Sequence, residues 1–526
     1  MYDSRCFDKS LELRDGVRLT SRIWLPHGNG PWPALLMRQP YGREIASTIT
    51  YSHPEWWASK GYMVIIQDVR GMGSSEGVFK GFSQEASDTS ETHEWVRSLK
   101  ECNGKLGLYG FSYQGFTQLT GEPNSQPPDC LSPAMTGINI KDHWCSDGGA
   151  YWWHNNIAWG LQITALKMKR ENNFSVWEKI KLALDNKSYL REGLDILKKY
   201  DPNSFVLEWL KNLNNEKPFE EIKPISTWMR KPMLIIGGLW DPHLKGAFDL
   251  YKKSKDAGGR PEIIIGNATH LNWWEGSQES LLKFFDKHLK LDKNSAFKDF
   301  KTEQKIWNIS LNKWDEFDNK FYPDFIFGLR SNGRANVDIE DGSLTINSEG
   351  SGWFTIVNDP WRPTPSDGGH LGPNPGKFNR NFIDKRLDVG VFQTNSFQEN
   401  QYFSGVPTLE ISVKSNQPNF DICLALSLVE EDEEKANQFS TGFLRVKNSK
   451  INEECIYQIT MQPTNICLIK GSKLRLSISA AAYPAIGVNP GFGEENVGAP
   501  SANHRVITLN FSLHKTFMKM TPFFNK

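Results

Sequence analysis

Hydrophobic and polar positions along the chain fall into two regimes. Near the start, Val17, Leu19, Ile23 and Leu25 alternate with Arg18, Thr20, Arg22 and Trp24, the period of two that predicts a strand with one wet face. Unbroken apolar runs follow at 34–37, 63–66 and 106–109, bounded by Gly and Pro, as in strands covered on both faces. Helical stretches separate them. In one, Trp95, Val96 and Leu99 share a side opposite Glu94, Arg97 and Ser98. Strands alternating with helices predict an α/β architecture with a mostly parallel sheet. Residues 142–226, rich in Trp, Lys, Asn and Leu, break this rhythm and read as a helical cap inserted between sheet segments. The sheet pattern resumes at 233–236 and 263–265. An amphipathic helix is predicted over 277–291, and the polar stretch 290–300 reads as a linker.

Beyond residue 300 the regime changes. Leu409, Ile411 and Val413 occupy every second position, as do Phe420, Ile422, Leu424, Leu426 and Leu428. The same holds for Leu474, Leu476 and Ile478, and for Ile507, Leu509, Phe511 and Leu513, with Gly, Pro and Asn clusters between the runs. This is the antiparallel pattern of a sandwich or jelly roll. The expected organisation is an α/β domain formed by 1–141 and 227–292, a helical cap at 142–226, and an all-β domain at 300–526.

Composition excludes classes rather than naming one. The 526 residues carry 61 basic and 61 acidic side chains, so no basic footprint for nucleic acid is expected. A mean hydropathy of −0.51 fits a soluble globular chain, and no apolar run reaches the length of a membrane span. The amino terminus is charged throughout, without an apolar leader. The seven cysteines show no C-x-x-C spacing, which points to a reducing compartment, so a cytoplasmic protein is expected. There is no H-E-x-x-H and no Cys/His cluster, so neither a metal nor an organic cofactor is implied.

The sharpest local signal is LGLYGFSYQG at 106–115. A buried strand runs into a turn at Ser112 and helix-like residues follow, the context a nucleophile elbow requires. Gly110 supplies the small residue two before the serine. Two after it stands Gln114, with Gly115 following. An activated serine needs a base, and the base an orienting acid, placed on loops after later strands in this architecture. Gly237-Gly238-Leu239-Trp240-Asp241 follows one such run and Gly266-Asn267-Ala268-Thr269-His270 another. Singly, Asp241 and His270 read as ordinary turn residues. Jointly, in this order, they predict Ser112 as nucleophile, Asp241 as acid and His270 as base, with His243 as the alternative base.

Further segments carry a family resemblance. They are Asp15-Gly16-Val17-Arg18-Leu19, Arg38-Gln39-Pro40-Tyr41-Gly42, Asp68-Val69-Arg70-Gly71-Met72-Gly73-Ser74-Ser75-Glu76-Gly77 and Gly110-Phe111-Ser112-Tyr113-Gln114-Gly115. Asp359-Pro360 to Gly368-Gly369 and Tyr483-Pro484 to Asn489-Pro490 extend the likeness over nearly the whole chain. Together they resemble the serine hydrolase family of cocaine esterase, X-prolyl dipeptidyl-peptidase and α-amino acid ester hydrolase. The resemblance implies an α/β-hydrolase domain with a helical cap, followed by a galactose-binding-like jelly roll. It implies acylation of Ser112, a triad completed by Asp241 and His270, and an oxyanion hole made by the Tyr41 hydroxyl and the Tyr113 backbone N–H. Family members are often dimers or larger, which leaves room for a homo-oligomer. Two segments depart from the pattern: Gly266-Asn267-Ala268-Thr269-His270 replaces G-P-W-x-H, and Leu239-Trp240-Asp241 replaces W-Y-D. Asp68 and Arg70 read as structural.

Trp144, Tyr151, Trp152, Trp153 and Trp159 cluster at the start of the cap. They are expected first to pack the cap on the sheet, and second to line an acyl pocket. Asp142, Asp147, Glu171 and Glu178 form no tight acidic cluster of the kind that holds a free α-amine. The reading is therefore hydrolysis of small-molecule esters, amides or short peptides. X-prolyl dipeptidyl-peptidase or α-amino acid ester hydrolase/acyltransferase activity is the alternative. From another class, the alternative is a non-catalytic ligand-binding protein on the same scaffold.

Overall fold

The structure, a computed structural model, describes residues 5–44, 50–215, 217–219, 221–290, 303–317, 324–431, 434–493 and 497–524. The linker reading at 290–300 falls, apart from Lys290, outside the described residues. Ten strands build the first sheet: β1 (Arg5–Glu12), β2 (Arg18–Leu25), β3 (Trp32–Gln39), β4 (Met63–Asp68), β5 (Cys102–Phe111), β6 (Cys130–Ala134), β7 (Leu234–Gly238), β8 (Glu262–Gly266), β9 (Gln304–Asn308) and β10 (Lys313–Glu316). Their spatial order is β1-β2-β4-β3-β5-β6-β7-β8-β9-β10. From β4 to β9 neighbours run parallel, and the pairs at either edge are antiparallel. The apolar runs sit in the parallel centre, where helices cover both faces.

Three details differ from the sequence reading. Trp24 is buried rather than wet, because it joins the cluster that holds Trp57 of the helix Pro54–Ser59. The helix Glu85–Ser98 buries Val96, with Leu99 just past its end, on the side the pattern marked, but it also buries polar residues the pattern did not mark, Glu85, Asp88, Thr89, Thr92 and His93. The cause is electrostatic: Glu85 meets Arg38 of β3 at 2.7 Å, and Asp88 meets Arg70 at 2.7 Å. Breaking one such buried pair costs about 3–5 kcal/mol. Finally, β9 and β10 lie inside the stretch read as the all-β domain but extend the first sheet. A parallel edge strand, β8, was open to pairing, and an edge left open invites another strand.

The cap holds the helices Trp153–Arg170, Phe174–Asp185, Tyr189–Tyr200 and Phe205–Asn214, packed around an apolar cluster that also takes in Phe79, Phe82, Tyr113 and Phe116 of the α/β part. The all-β part is dominated by long strands such as Gln401–Ser415, Phe420–Val429 and Ile507–Pro522, paired mostly antiparallel. Cap and all-β part are stitched together by backbone bonds: Arg445 N–H to Gly148 O at 2.9 Å, and Trp153 N–H to Ala485 O at 3.0 Å. All seven cysteines are free, and no helix among the described residues is long and apolar enough to cross a membrane.

Candidate active site

β5 ends at Phe111 and the short helix Tyr113–Phe116 starts two residues on, so Ser112 must turn the chain alone. It does so at φ 58° and ψ −128°, a region that costs an L-residue about 1–3 kcal/mol and recurs at functional sites. Its N–H is fixed to the Ala134 carbonyl at 3.0 Å. The turn needs two glycines for different reasons. Gly110 has φ +141°, and a Cβ there would lie 2.5 Å from Gln114 Cβ. Gly115 approaches the end of β6, where a Cβ would lie 2.9 Å from the Ala134 carbonyl oxygen. The displaced glycine of the motif is thus required by strand–helix contact. Gln114 is buried and structural: its Oε1 accepts from Phe111 N–H at 3.2 Å, and its Nε2 donates to Gln39 Oε1 at 2.8 Å.

Gln39 in turn donates to the Gly42 carbonyl at 2.8 Å. The loop carrying Tyr41 is thereby tied to the serine turn. A second tie runs through the Tyr113 hydroxyl, which lies 2.7 Å from Glu85 Oε1, the partner of Arg38. A third is the buried pair of Arg43 with Asp68 at 2.8 Å. Asp68 and Arg70 thus each hold a loop, in separate ion pairs. The Tyr41 hydroxyl stands beside Ser112 and the Trp159 indole, and burial pushes its pKa up to about 12. It therefore keeps its proton near neutral pH and stays a donor. The Tyr113 N–H opens the short helix, a position with no intrahelical acceptor.

β7 and β8 end side by side, and the loops that follow bring Asp241 and His270 together. His270 Nδ1 and Asp241 Oδ2 are 2.5 Å apart. Asp241 is fully buried, its Oδ1 accepts from His243 N–H at 2.8 Å, and Gln462 of the all-β part donates to its carbonyl at 3.2 Å. Burial raises the Asp241 carboxyl, but His270 and His243 outweigh this and hold its pKa below the ordinary value. The atypical histidine loop is closed by its own contacts. Trp240 donates its indole N–H to Asn267 Oδ1 at 2.7 Å and its backbone N–H to Ala268 O at 3.0 Å. The alternative base, His243, is engaged elsewhere, with Nδ1 2.6 Å from the His143 carbonyl oxygen.

Ser112, Tyr41, His270 and His243 border one cavity of about 760 Å³. Sheet, cap and all-β part each contribute walls, through Phe111 and Trp240, through Trp144, Trp152 and Trp159, and through His370 and Pro373. Tyr151 is instead packed within the cap, and Trp153 between the cap and Gly487 and Gly498 of the all-β part. The described residues around the cavity include no Asp, Glu, Lys or Arg. Of the acidic residues weighed in the sequence, Asp142, Glu171 and Glu178 are exposed, while Asp147 is buried against Lys245 at 2.5 Å and His370 at 3.1 Å. His370, Gln462 and Gln39 escaped sequence reasoning. Only Gln39, inside the R-x-P-Y segment, had a local signal.

Comparison with known proteins finds relatives of both parts of the chain. Residues 15–272 match the X-Pro dipeptidyl-peptidase (S15 family) pattern, and 301–512 match the X-Pro dipeptidyl-peptidase C-terminal non-catalytic domain. The chain is 24% identical to cocaine esterase from Rhodococcus sp. (strain MB1 Bresler) over 91% of each chain. In fold it resembles an aminopeptidase from a marine sediment archaeon, Thaumarchaeota archaeon (TM-score 0.74, 19% identity, 99% of this chain and 96% of that one). It also resembles an α-amino acid ester hydrolase (TM-score 0.71, 19% identity, 99% and 96%).

Proposed function

The chain belongs to the serine hydrolase family of X-Pro dipeptidyl-peptidase and cocaine esterase, and on that premise we propose that Ser112 is its nucleophile, His270 its general base and Asp241 the acid that orients the base. The observation that carries this reading is the Asp241–His270 pair at 2.5 Å, facing the strained Ser112 across one cavity. His270 Nδ1 donates to Asp241, which leaves Nε2 to take the Ser112 proton. Ser112 Oγ adds to the substrate carbonyl, and the resulting oxyanion accepts from the Tyr41 hydroxyl and the Tyr113 N–H. His270 then passes its proton to the leaving alcohol or amine, and water releases the acyl group by the same route.

The substrate is a small ester, amide or short peptide whose acyl group carries no charge. A free α-ammonium would enter a cavity whose described walls offer aromatic rings and neutral amides and no carboxylate, and an unpaired charge there is costly. The test is Ser112→Ala. Ester turnover is expected to fall by about 10⁴-fold or more with the thermal unfolding midpoint retained. Full turnover in a folded variant removes the assignment.

A further inference from the structure

His243 lies two residues after Asp241, and the chemistry above makes no use of its ring. Its backbone N–H bond to Asp241 survives any substitution except proline. The ring has its own fixed arrangement. Nδ1 lies 2.6 Å from the His143 carbonyl oxygen, and since a carbonyl only accepts, Nδ1 carries the hydrogen. The rings of Trp144 and Trp152 stand 4.4 and 5.6 Å away, centroid to centroid. Burial pushes the His243 pKa down to about 4 against the pull of Asp241, so near neutral pH Nε2 has a free lone pair. Among the described residues no protein donor meets Nε2, and the atom is not sealed off. It opens on the cavity that Ser112 and His270 border. The His270 ring is 5.2 Å away, centroid to centroid, and lines the same cavity.

We infer that His243 accepts a hydrogen bond from the N–H of a scissile amide, fitting this site for amide as well as ester cleavage. The inference rests on the roles assigned above to Ser112, Asp241 and His270. In the tetrahedral adduct of a secondary amide, nitrogen holds one hydrogen and one lone pair. The lone pair takes the proton that His270 received from Ser112. The C–N bond then breaks, its electron pair leaves with the free amine, and the acyl group stays on Ser112. For the lone pair to face His270, the N–H must point aside, and a neutral imidazole there favours that orientation in the transition state. An ester oxygen carries no hydrogen and gains nothing from His243.

The test compares 4-nitrophenyl butyrate, the matching 4-nitroanilide and its N-methyl derivative, with rates normalised to fluorophosphonate-titrated sites. His243→Phe keeps a ring against Trp144 and Trp152 but removes the acceptor, and His243→Gln returns one. His243→Phe is expected to lower kcat/KM for the anilide about tenfold or more beyond whatever it does to the ester and the N-methyl anilide. His243→Gln is expected to recover part of the anilide rate. Equal losses on ester and anilide, an unchanged anilide rate, or no anilide turnover by the parent chain would overturn the inference. If His243→Phe does not fold, the parent decides: the anilide should exceed its N-methyl form by about tenfold or more, and parity contradicts the proposal. Turnover surviving in Ser112→Ala would bring down the nucleophile assignment itself, which separates the two failures.

Discussion

At the scale of the residue, the proposed oxyanion stabilisation turns on one phenol. Tyr41 is raised to about 12 by burial and stands beside Ser112, so it offers a proton at any working pH. One oxyanion donor is worth about 3–4 kcal/mol in the transition state. Tyr41→Phe should therefore cut kcat by about 10²–10³ with little change in KM. Steady-state kinetics on an ester decides this, and an unchanged kcat would leave Tyr41 a packing residue. The two histidines separate in the same assay. His270→Ala should lower ester kcat by about 10³-fold or more, whereas His243→Ala should leave most of it, because the ring of His243 bonds the His143 carbonyl and not Asp241. The reverse ranking would move the base to His243. The order Ser112, Asp241, His270 was legible because each follows a readable apolar run. The tautomer of His243 was not, since His143 lies a hundred residues away in sequence.

At the scale of the element, the serine turn is a strand end and a helix start forced into contact. Gly110→Ala would place a Cβ 2.5 Å from Gln114 Cβ at a φ that only glycine adopts freely. We expect a loss of about 1–3 kcal/mol in stability, read from the urea midpoint, together with lower activity as Ser112 shifts. A midpoint and rate equal to the parent would show that the turn tolerates a side chain. The parallel strands were legible from their unbroken apolar runs. The helix Glu85–Ser98 was legible where Val96 and Leu99 are buried opposite exposed Glu94 and Ser98, but its buried polar residues were not, because periodicity sees only apolar ones. Its inward direction is set by Arg38 and Arg70, whose need for partners appears only when β3 and the loop after β4 come together in space. For the same reason β9 and β10 read as part of the all-β domain: alternation announces a strand but not the sheet it joins.

At the scale of the whole molecule, the cavity exists because three parts close on it. The all-β part supplies His370 and Pro373 to the wall and Gln462 to the Asp241 loop. Two regimes of patterning foretold an α/β part, a helical insertion and an all-β part. They gave no hint which residues of the last would reach the site, because such contacts join residues as far as 221 positions apart. The closed interior also sets an acid limit. Burial lowers the pKa of His93, His143, His154, His243, His288 and His370, three of them to about 4. Between the unfolded value near 6.5 and the folded values, the unfolded chain binds more protons, so stability is present above about pH 6.5 and lost as pH falls toward 4. Asp68 and Glu85, raised by burial, act in the opposite sense and are fewer. The thermal midpoint should fall steadily from pH 7 to pH 4.5, and a flat profile would contradict the buried neutral histidines. The central claim is an activated Ser112, and it is tested most directly by fluorophosphonate labelling with intact mass and peptide mapping. One adduct per chain, on the peptide that contains Ser112, is the predicted result. A folded protein that takes no adduct, or takes it on another residue, would contradict the account.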